Sequence, residues 1–150
     1  MNVKIKKLNE NAVLPQYMTP GAAAADLYAC LEDDVTLLPG ERTLIPTGIA
    51  ISPERTDTVA LIFGRSGLGV KKGVTLANSV GVVDSDYRGE IRVCLINHGG
   101  EPLTVSHGDR IAQIMFVPIE LASFLPCDEL DETERGAGGF GSTGVSSGKE

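Results

Sequence analysis

The sequence predicts an all-β domain with the organisation of a sandwich or barrel. Short runs of Val, Ile and Leu recur along the chain, and turn signals such as Pro39-Gly40, Gly73 and Gly99-Gly100 separate them. Their spacing of roughly eight to twelve residues is typical of such folds. The chain of 150 residues is one domain in length, and with no tryptophan and four phenylalanines its core is aliphatic.

Seven stretches have the composition of β-strands. In chain order they are Val3–Leu8, Asp26–Leu31, Val35–Leu38, Arg42–Ile51, Thr58–Phe63, Glu90–Asn97 and Ile111–Ile119. In the sixth, Ile91, Val93 and Leu95 alternate with the other residues, which predicts a strand with one buried face. The fifth is apolar on both faces, so we expect a central strand that is covered on both sides.

One short helix is expected at Ser66–Lys72. Ser66 is a suitable N-cap residue, and Gly73 follows the stretch at a position where a left-handed residue is favoured. Lys71 and Lys72 would lie in the last turn, where positive charge interacts favourably with the helix dipole.

The composition changes near Cys127, from apolar runs to an acidic stretch and then to a glycine-rich tail. We therefore expect a β domain over residues 1–126 and a C-terminal arm over residues 127–150. Such an arm can complete a site on a neighbouring subunit. The acidic run Asp128–Glu134 is expected to be a solvated hinge.

The tail from Arg135 to Gly144 combines a flexible backbone with phosphate-binding side chains. Half of its positions are glycine, which lets backbone N–H groups approach a ligand closely. Arg135, Ser142 and Thr143 offer donors suited to phosphate, and Phe140 adds a flat apolar face. This combination predicts a lid that closes over a nucleotide, with a disordered Gly/Ser tail as the alternative.

The net charge and the cysteines restrict the class of protein. A net charge of −7 argues against broad binding to nucleic acids or anionic membranes, because such polyanions are bound through an excess of Lys and Arg. Cys30, Cys94 and Cys127 form no C-x-x-C pair, which indicates buried free thiols in a reducing compartment. With no apolar run long enough for a signal peptide or a membrane span, we expect a soluble, cytoplasmic protein.

The segment Gly64-Arg-Ser-Gly-Leu-Gly69 is a candidate phosphate site at the start of the predicted helix. It places the cation of Arg65 and the hydroxyl of Ser66 beside unpaired backbone N–H groups and the positive end of the helix dipole. Alternatively, Ser66 only caps the helix and Arg65 is a solvated surface charge.

The segment from Asn78 to Gly89 is expected to turn between two strands and to hold polar groups at its edge. Asp84 and Asp86 lie two residues apart. On an extended backbone both face the same side, and one could act as a general base toward water. The alternative is that both aspartates satisfy backbone groups of the turn.

Two further segments place polar residues in or beside apolar strands. Gln113 lies in a strand that is otherwise apolar, so its amide needs either a ligand or local backbone as a partner. Beside it, Asp109 and Arg110 are candidates for a structural ion pair. The small apolar run that ends at Asp26 is expected to be a tightly packed strand.

In this order, five segments resemble the motifs of the trimeric deoxyuridine triphosphatase family, and the resemblance spans nearly the whole chain. They are Ala23-Ala-Ala-Asp-Leu27, Gly64-Arg-Ser-Gly67, Gly81-Val-Val-Asp-Ser-Asp-Tyr87, Gly108-Asp-Arg-Ile-Ala-Gln113 and the tail Arg135–Gly144. One such motif would be weak, but five in order at matching spacing are specific. The first departs from the family pattern at Ala25, where a larger residue is usual, which bears on packing.

The resemblance implies a jelly-roll-like subunit in a homotrimer, with active sites at the subunit interfaces and each arm closing over a neighbour's site. It implies Mg²⁺-dependent attack of water on the α-phosphorus of dUTP, with release of dUMP and pyrophosphate. The metal would be chelated mainly by triphosphate oxygens and water, with Asp26 in contact with a metal-bound water. This reaction limits uracil in DNA and supplies dUMP for thymidylate synthesis.

Around the base and sugar, the resemblance implies roles for three residues. Asp84 would orient and deprotonate the attacking water. Tyr87 would stack under the deoxyribose and leave no room for a 2′-hydroxyl, so that UTP is rejected. Asn78 and the backbone of its hairpin would hydrogen-bond uracil, leaving no space for a thymine methyl and leaving buried groups unpaired with cytosine.

Around the triphosphate, the resemblance implies roles for residues from three motifs. They are Arg65, Ser66, Gly67 and Gln113 for the phosphates, Arg135, Ser142 and Thr143 for the β and γ groups, Phe140 for the face of uracil, and Gly141 as a further substrate-binding residue.

Two other functions are compatible with the same motifs. A deoxycytidine triphosphate deaminase has a related fold, but it needs an additional acid/base group at the pyrimidine C4. A trimer that binds the nucleotide without catalysis would not require the carboxylate of Asp84. The hairpin at Asn78 and the ring of Phe140 favour hydrolysis.

Overall fold

The computed structural model describes residues 1–139. Within them the fold is all-β and jelly-roll-like with one short helix, as the sequence predicts. The strands are β1 (Val3–Lys7), β2 (Ala25–Tyr28), β3 (Val35–Leu37), β4 (Arg42–Pro46), β5 (Ile49–Pro53), β6 (Thr58–Phe63), β7 (Val74–Leu76), β8 (Gly81–Val83), β9 (Arg92–Asn97), β10 (Leu103–Val105) and β11 (Arg110–Pro118), and the helix is α1 (Ser66–Lys72). The part of the chain that is described holds no helix with the length and apolar character needed to span a membrane.

The strands form two larger sheets and two flanking pairs, all antiparallel. One sheet has the order β2, β11, β6, β8, and the other has the order β4, β9, β7. Strand β1 pairs with β5, and β3 pairs with β10. Consecutive strands such as β7 and β8 therefore lie in different sheets, so the chain crosses repeatedly from one sheet to the other.

Strand β6 organises the four-stranded sheet, because it lies between β11 and β8. Gln113 pairs with Phe63 on one side and with Asp26 on the other, so these three residues form one row across the sheet. At the opposite edge of β6, Gly81 pairs with Ile62. The strand is central as predicted, but in a single chain its alternate residues are buried and half-buried, so only one face is fully covered.

The hydrophobic core draws on both larger sheets. Leu27 and Ile111 contribute from the four-stranded sheet, and Ile45 and Leu95 from the three-stranded sheet, each with an exposed fraction of at most 1%. Burial of an aliphatic side chain of this size stabilises the fold by about 1.5–3 kcal/mol. The core therefore fixes the relative position of the two sheets that carry the polar residues described below.

The predicted strand Arg42–Ile51 is two strands, β4 and β5, which belong to different sheets. Gly48 separates them with a φ of 69°, a left-handed conformation that favours glycine. A side chain there would also collide with Ala12 and Cys30. The prediction of one continuous strand was wrong because the apolar pattern continues across this glycine.

The C-terminal end of α1 was predicted correctly, whereas its N-cap was not. Gly73 has a left-handed φ of 70°, and its N–H donates to the carbonyl of Gly69 at 3.1 Å, as the prediction requires. The predicted N-cap was wrong, since Arg65 occupies that position in an extended conformation and Ser66 is the first helical residue. The side chain of Ser66 is exposed at the start of the helix.

The cysteines differ in their exposure, and all are free thiols. Cys30 is buried, Cys94 is half-buried and Cys127 is exposed, so the prediction of buried thiols holds only for the first. Burial raises the pKa of the Cys30 thiol, and the nearby carboxylate of Glu90 raises it further.

Strand β11 ends at Pro118, after which the N–H of Ile119 donates to the carbonyl of Asp57 at 3.0 Å. The side chains at positions 120–137 are exposed. The division into a domain over residues 1–126 and an arm over residues 127–150 stays a prediction.

Candidate active site

A cavity of about 430 Å³ opens beside β8 and the turn that follows it. Its apolar walls include Ile62 and Ile91, and its polar lining residues are Asn78, Asp84, Tyr87, Glu90 and Arg92. Concave sites in which a few polar groups interrupt an apolar wall are typical of small-molecule binding. We refer to this space as the Tyr87 cavity.

Asp84 lies at the end of β8, where the chain turns beside the Tyr87 cavity. Its carbonyl accepts a hydrogen bond from the N–H of Tyr87 at 3.1 Å, which closes the turn that the sequence predicts. The carboxylate is exposed, and within residues 1–139 it makes no hydrogen bond or ion pair. A carboxylate whose oxygens are available in this way can accept a proton from a bound water.

Tyr87 lies on the same turn and is 46% exposed. Its hydroxyl donates to the carbonyl of Glu90 at 3.1 Å. The side chain of Glu90 accepts from the N–H of Gly48 at 2.9 Å and from Nε of Arg92 at 3.0 Å. Sequence reasoning missed Glu90 and Arg92. Glu90 binds the turn at Gly48 and Arg92, the first residue of β9.

Asn78 lies in the turn that joins β7 to β8, and the side chain is exposed. The predicted hairpin was wrong here, because β7 pairs with β9 while β8 pairs with β6. The next residue, Ser79, has a φ of 62°, which is uncommon for a residue other than glycine. Such conformations concentrate at functional sites, and no sequence signal pointed to Ser79.

A second group of polar residues gathers around Asp26, which is 1% exposed, and we call it the Asp26 cluster. Arg110 Nη1 donates to Oδ2 of Asp26 at 3.1 Å, and Gln113 Nε2 donates to Oδ1 at 3.0 Å. Arg65 Nε lies 3.4 Å from Oδ1. Arg65 also donates through Nη1 to the carbonyl of Arg110 at 3.1 Å, so four residues from β2, β11 and the N-cap of α1 are linked.

The Asp26 cluster carries an excess of positive charge, with two guanidinium groups for one carboxylate. The side chains of Arg65 and Arg110 are 24% and 40% exposed, so part of each faces solvent. Nε of Arg65 is buried and has no hydrogen-bond partner among the described residues. Fixed guanidinium donors with spare capacity are suited to phosphate.

The expected ion pair between Asp109 and Arg110 is replaced by two separate interactions. Asp109 Oδ2 accepts from the N–H of Ser106 at 2.8 Å, whereas Arg110 binds Asp26. Sequence reasoning missed Arg110 as a site residue because its partner lies 84 residues away in the chain. Both carboxylate oxygens of Asp26 accept protein hydrogen bonds, and its contact with a metal-bound water stays a prediction.

The remaining predicted site residues lie at the start of α1 and in the arm. Ser66 and Gly67 are exposed directly after Arg65, and a Cβ at Gly67 would meet no atom within 4 Å in the described structure. Arg135 Nε donates to the carbonyl of Gly138 at 2.8 Å within a turn of the arm. Phe140, Gly141, Ser142 and Thr143 lie outside the described residues.

The strand register separates Asp84 from the Asp26 cluster within one chain. Val83 pairs with Ala60, so Asp84 is level with Val59, whereas the cluster is level with Phe63 at the other end of β6. Four residues of an extended strand span about 13 Å. The carboxylate at the cavity and the guanidinium groups of the cluster therefore lie at opposite ends of β6.

Comparison with known proteins decides the family. A family model described as dUTPase matches residues 10–144. The chain belongs to the dUTPase family. This confirms the resemblance of the five motifs.

Two further dUTPase relatives show how far the similarity extends. A deoxyuridine 5′-triphosphate nucleotidohydrolase of Desulfitobacterium hafniense is 57% identical over 133 residues, which are 89% of this chain and 88% of the relative. The structure of a Staphylococcus bacteriophage 80alpha dUTPase mutant with dUpNHpp has a TM-score of 0.85 and 26% identity, covering 96% of this chain and 99% of the phage chain.

A third dUTPase, from phage phi11 of S. aureus, shares the fold with a TM-score of 0.77 and 23% identity, covering 88% of this chain and all of the phage chain. That structure describes the coordination of a structural Mg(II) ion in the phage protein. At this identity the likeness shows the fold alone.

Proposed function

We propose that this dUTP diphosphatase converts dUTP to dUMP and pyrophosphate at a site that combines the Tyr87 cavity of one subunit with the Asp26 cluster of another. The observation that carries the proposal is the joint lining of one cavity of about 430 Å³ by Asn78, Asp84 and Tyr87. These three residues supply a polar group for a base, a carboxylate for water and a ring for a sugar.

Asp84 is the general base in this proposal. Its exposed carboxylate orients a water molecule and takes a proton as the water oxygen bonds to the α-phosphorus. The bond from the α-phosphorus to the bridging oxygen breaks, and pyrophosphate leaves with the electron pair. A positioned base of this kind contributes about 10²–10⁴-fold to the rate.

Asn78 and Tyr87 provide the specificity. The ring of Tyr87 packs beside C2′ of the deoxyribose and excludes a hydroxyl at that carbon. Asn78 and the adjacent backbone pair with the edge of uracil, so that cytosine leaves buried groups unpaired. The conformation of Ser79 supports this role, since it fixes the turn on which Asn78 is carried.

The Asp26 cluster binds the triphosphate. Arg65 and Gln113 are held by one buried carboxylate, so their donors are fixed before the substrate arrives. Preorganised donors of this kind stabilise charge that develops in the transition state. Ser66 and Gly67 extend the same surface at the start of α1.

The C-terminal arm closes the site in this proposal. Its phosphate donors and its aromatic ring act on the β and γ phosphates and on the uracil face. They are Arg135, Ser142 and Thr143 for the phosphates, Phe140 for uracil, and Gly141 where the backbone approaches the substrate. Closure excludes water other than the nucleophile and so strengthens the electrostatic contacts.

Mg²⁺ fits these residues as an ion that enters with the triphosphate. In such sites the ion is bound by substrate phosphates and one or two carboxylates, and it keeps several waters. Both oxygens of Asp26 already accept protein hydrogen bonds, which favours a contact through water. When bound, the ion neutralises negative charge on the phosphates.

The homotrimer is supported by the distribution of the two groups and by exposed apolar side chains in the segment that precedes the arm. Asp84 and the Asp26 cluster lie at opposite ends of β6, so copies placed head to tail would bring one chain's carboxylate to the next chain's cluster. Leu121, Phe124 and Leu125 are 83–94% exposed in the single chain. Clustered apolar side chains of this kind indicate a partner surface.

The cellular context of the proposal follows from the reaction and the composition. We place the enzyme in the cytoplasm, where three free thiols remain reduced. There it would supply dUMP and limit uracil in DNA. The net charge of −7 is unfavourable for a nucleic-acid partner.

Pyrophosphate release from dUTP, dCTP, dTTP and UTP, measured in parallel with Mg²⁺ and then with a chelator, tests the proposal. We expect release from dUTP alone, and loss of that release when the metal is chelated. Ammonia release from dCTP would indicate a deaminase, and no release from any of the four would indicate a binding protein.

A further inference from the structure

Tyr87 is held at three points in the turn after β8. Its N–H donates to the carbonyl of Asp84, and its hydroxyl donates to the carbonyl of Glu90, each at 3.1 Å. Between these two anchors, the ring lies directly against the backbone of Gly89. The position of the ring therefore depends on Gly89 and Glu90 as well as on its own rotamer.

The ring of Tyr87 packs directly against the backbone of Gly89. A Cβ on Gly89 would collide with the hydroxyl oxygen of Tyr87 and would lie 2.5 Å from Cζ and 2.9 Å from Cε2. The three nearest atoms to that Cβ all belong to Tyr87. Carbon atoms do not approach so closely without displacement, so a side chain at position 89 must move the ring.

The backbone does not itself require glycine at position 89. The φ of Gly89 lies outside the left-handed region, unlike that of Gly48 or Gly73. Alanine can also adopt a φ in this range. The demand for glycine at this position therefore comes from the ring of Tyr87 and not from the turn.

The acceptor of the Tyr87 hydroxyl is also fixed. Oε1 of Glu90 accepts from the N–H of Gly48 at 2.9 Å, and Oε2 accepts from Arg92 at 3.0 Å. The N–H of the next residue, Ile91, donates to the carbonyl of Ile49 at 2.9 Å. The segment that carries the acceptor is thus attached to the turn between β4 and β5 and cannot easily follow a displaced ring.

We infer that Gly89 is a specificity-determining positioning residue, which acts through Tyr87 to keep the ring where it excludes a 2′-hydroxyl. This inference rests on the proposed role of Tyr87 in sugar discrimination. Gly89 lets the ring lie flat against the chain, and the bond to Glu90 sets how far the ring reaches. A displacement of about 1 Å at such a contact can change a rate by roughly 100-fold.

The experiment compares kcat/KM for dUTP and for UTP in Gly89→Ala, Tyr87→Ala, the double variant and Gly100→Ala. Gly100 is the matched control, because it also lacks a left-handed φ and a Cβ there would meet no atom within 4 Å in the described structure. We expect Gly89→Ala to lower the preference for dUTP over UTP by roughly ten- to a hundredfold. We expect no such change in Gly100→Ala.

The double variant separates a positioning role from a structural one. If Gly89 acts only through the ring, its substitution changes the preference little once Tyr87→Ala has removed the ring, and the effects of the two substitutions are not additive. If Gly89→Ala alone fails to fold, the double variant has room for the Cβ. Restored folding in the double variant, with the preference of Tyr87→Ala, supports the inference.

Four results would overturn the inference. One is that Gly89→Ala keeps the preference for dUTP over UTP while Tyr87→Ala loses it. This result would leave the proposed role of Tyr87 intact. Another is an equal loss from Gly89→Ala with and without the ring, or no rescue of folding by Tyr87→Ala. An unchanged preference in Tyr87→Ala itself would instead contradict the proposed role of Tyr87, and the inference would fall with it.

Discussion

The Tyr87 cavity and the Asp26 cluster are built in opposite ways. The polar groups of the cavity come from one stretch, residues 78–92, and most of them are exposed. The cluster joins β2, β11 and the residue before α1 around one buried carboxylate. Exposed groups on a turn can be exchanged at little cost in stability, whereas a buried charge cannot lose its partners without cost. Substitutions in the cavity should therefore change the chemistry, and substitutions in the cluster should change the fold as well.

The largest effect is expected for Asp84→Asn in the cavity. The amide cannot accept a proton from water, so kcat for dUTP should fall by about 10²–10⁴-fold. Because the carboxylate is exposed, the free energy of unfolding should stay unchanged, as should binding of dUpNHpp measured by calorimetry. Asp86→Asn is the matched control on the same turn and should retain activity, while full turnover by Asp84→Asn would contradict the role of Asp84.

Truncation after Glu134 tests whether the arm serves the site without serving assembly. Removal of the arm's phosphate donors should lower kcat/KM for dUTP by roughly 100-fold, because the substrate is no longer held in its reactive geometry. Sedimentation should still show a trimer. Dissociation of the truncated protein would mean that the arm is needed for assembly.

Asp26→Asn should lower stability and substrate binding, the two properties that Asp84→Asn leaves unchanged. Loss of the charge that faces Arg65 and Arg110 should lower the free energy of unfolding by about 2 kcal/mol. The loss is no larger because both guanidinium groups are partly solvated and can recover some hydration. KM for dUTP should rise, because the donors are no longer held in place. Denaturant unfolding of Asp26→Asn and Asp84→Asn measures the difference in their free energies of unfolding. Equal stability of the two variants would contradict this prediction.

The smallest effect concerns the thiols. At neutral pH, Cys127 should react readily with a thiol reagent, whereas Cys30 should react only after unfolding, because burial both blocks access and raises its pKa. The raised pKa keeps the thiol protonated as the pH increases past the usual range for a free cysteine. Mass spectrometry of the alkylated protein measures the order of reaction. Early labelling of Cys30 would contradict the burial of this thiol in the folded protein.

Much of the cavity could be predicted from the sequence, because its signals are local. The turn at Asp84 follows from the residue types at that position. The polar residues from Asn78 to Tyr87 also lie close together in the chain. They line one cavity because only the short strand β8 separates the turn at Asn78 from the turn at Asp84.

The Asp26 cluster could not be predicted in the same way. Arg110 is separated from Asp26 by 84 residues, and its sequence neighbour Asp109 was an equally plausible partner. Which carboxylate it binds depends on the register between β2 and β11, which includes an irregularity after Arg110. The three-residue strands β7, β8 and β10 were missed for a different reason, since hydrophobic periodicity cannot be recognised over so few residues.

Mixing two inactive variants tests most directly whether the cavity and the cluster act in one site made by different chains. Asp84→Asn and Arg65→Ala would be unfolded together in equal amounts, refolded and assayed for pyrophosphate release from dUTP. A site that takes Asp84 from one chain and Arg65 from the next is intact in about one quarter of random pairings, so about a quarter of the wild-type activity should return. Activity no higher than the sum of the two separate variants would place both groups in the same chain's site and would contradict the account.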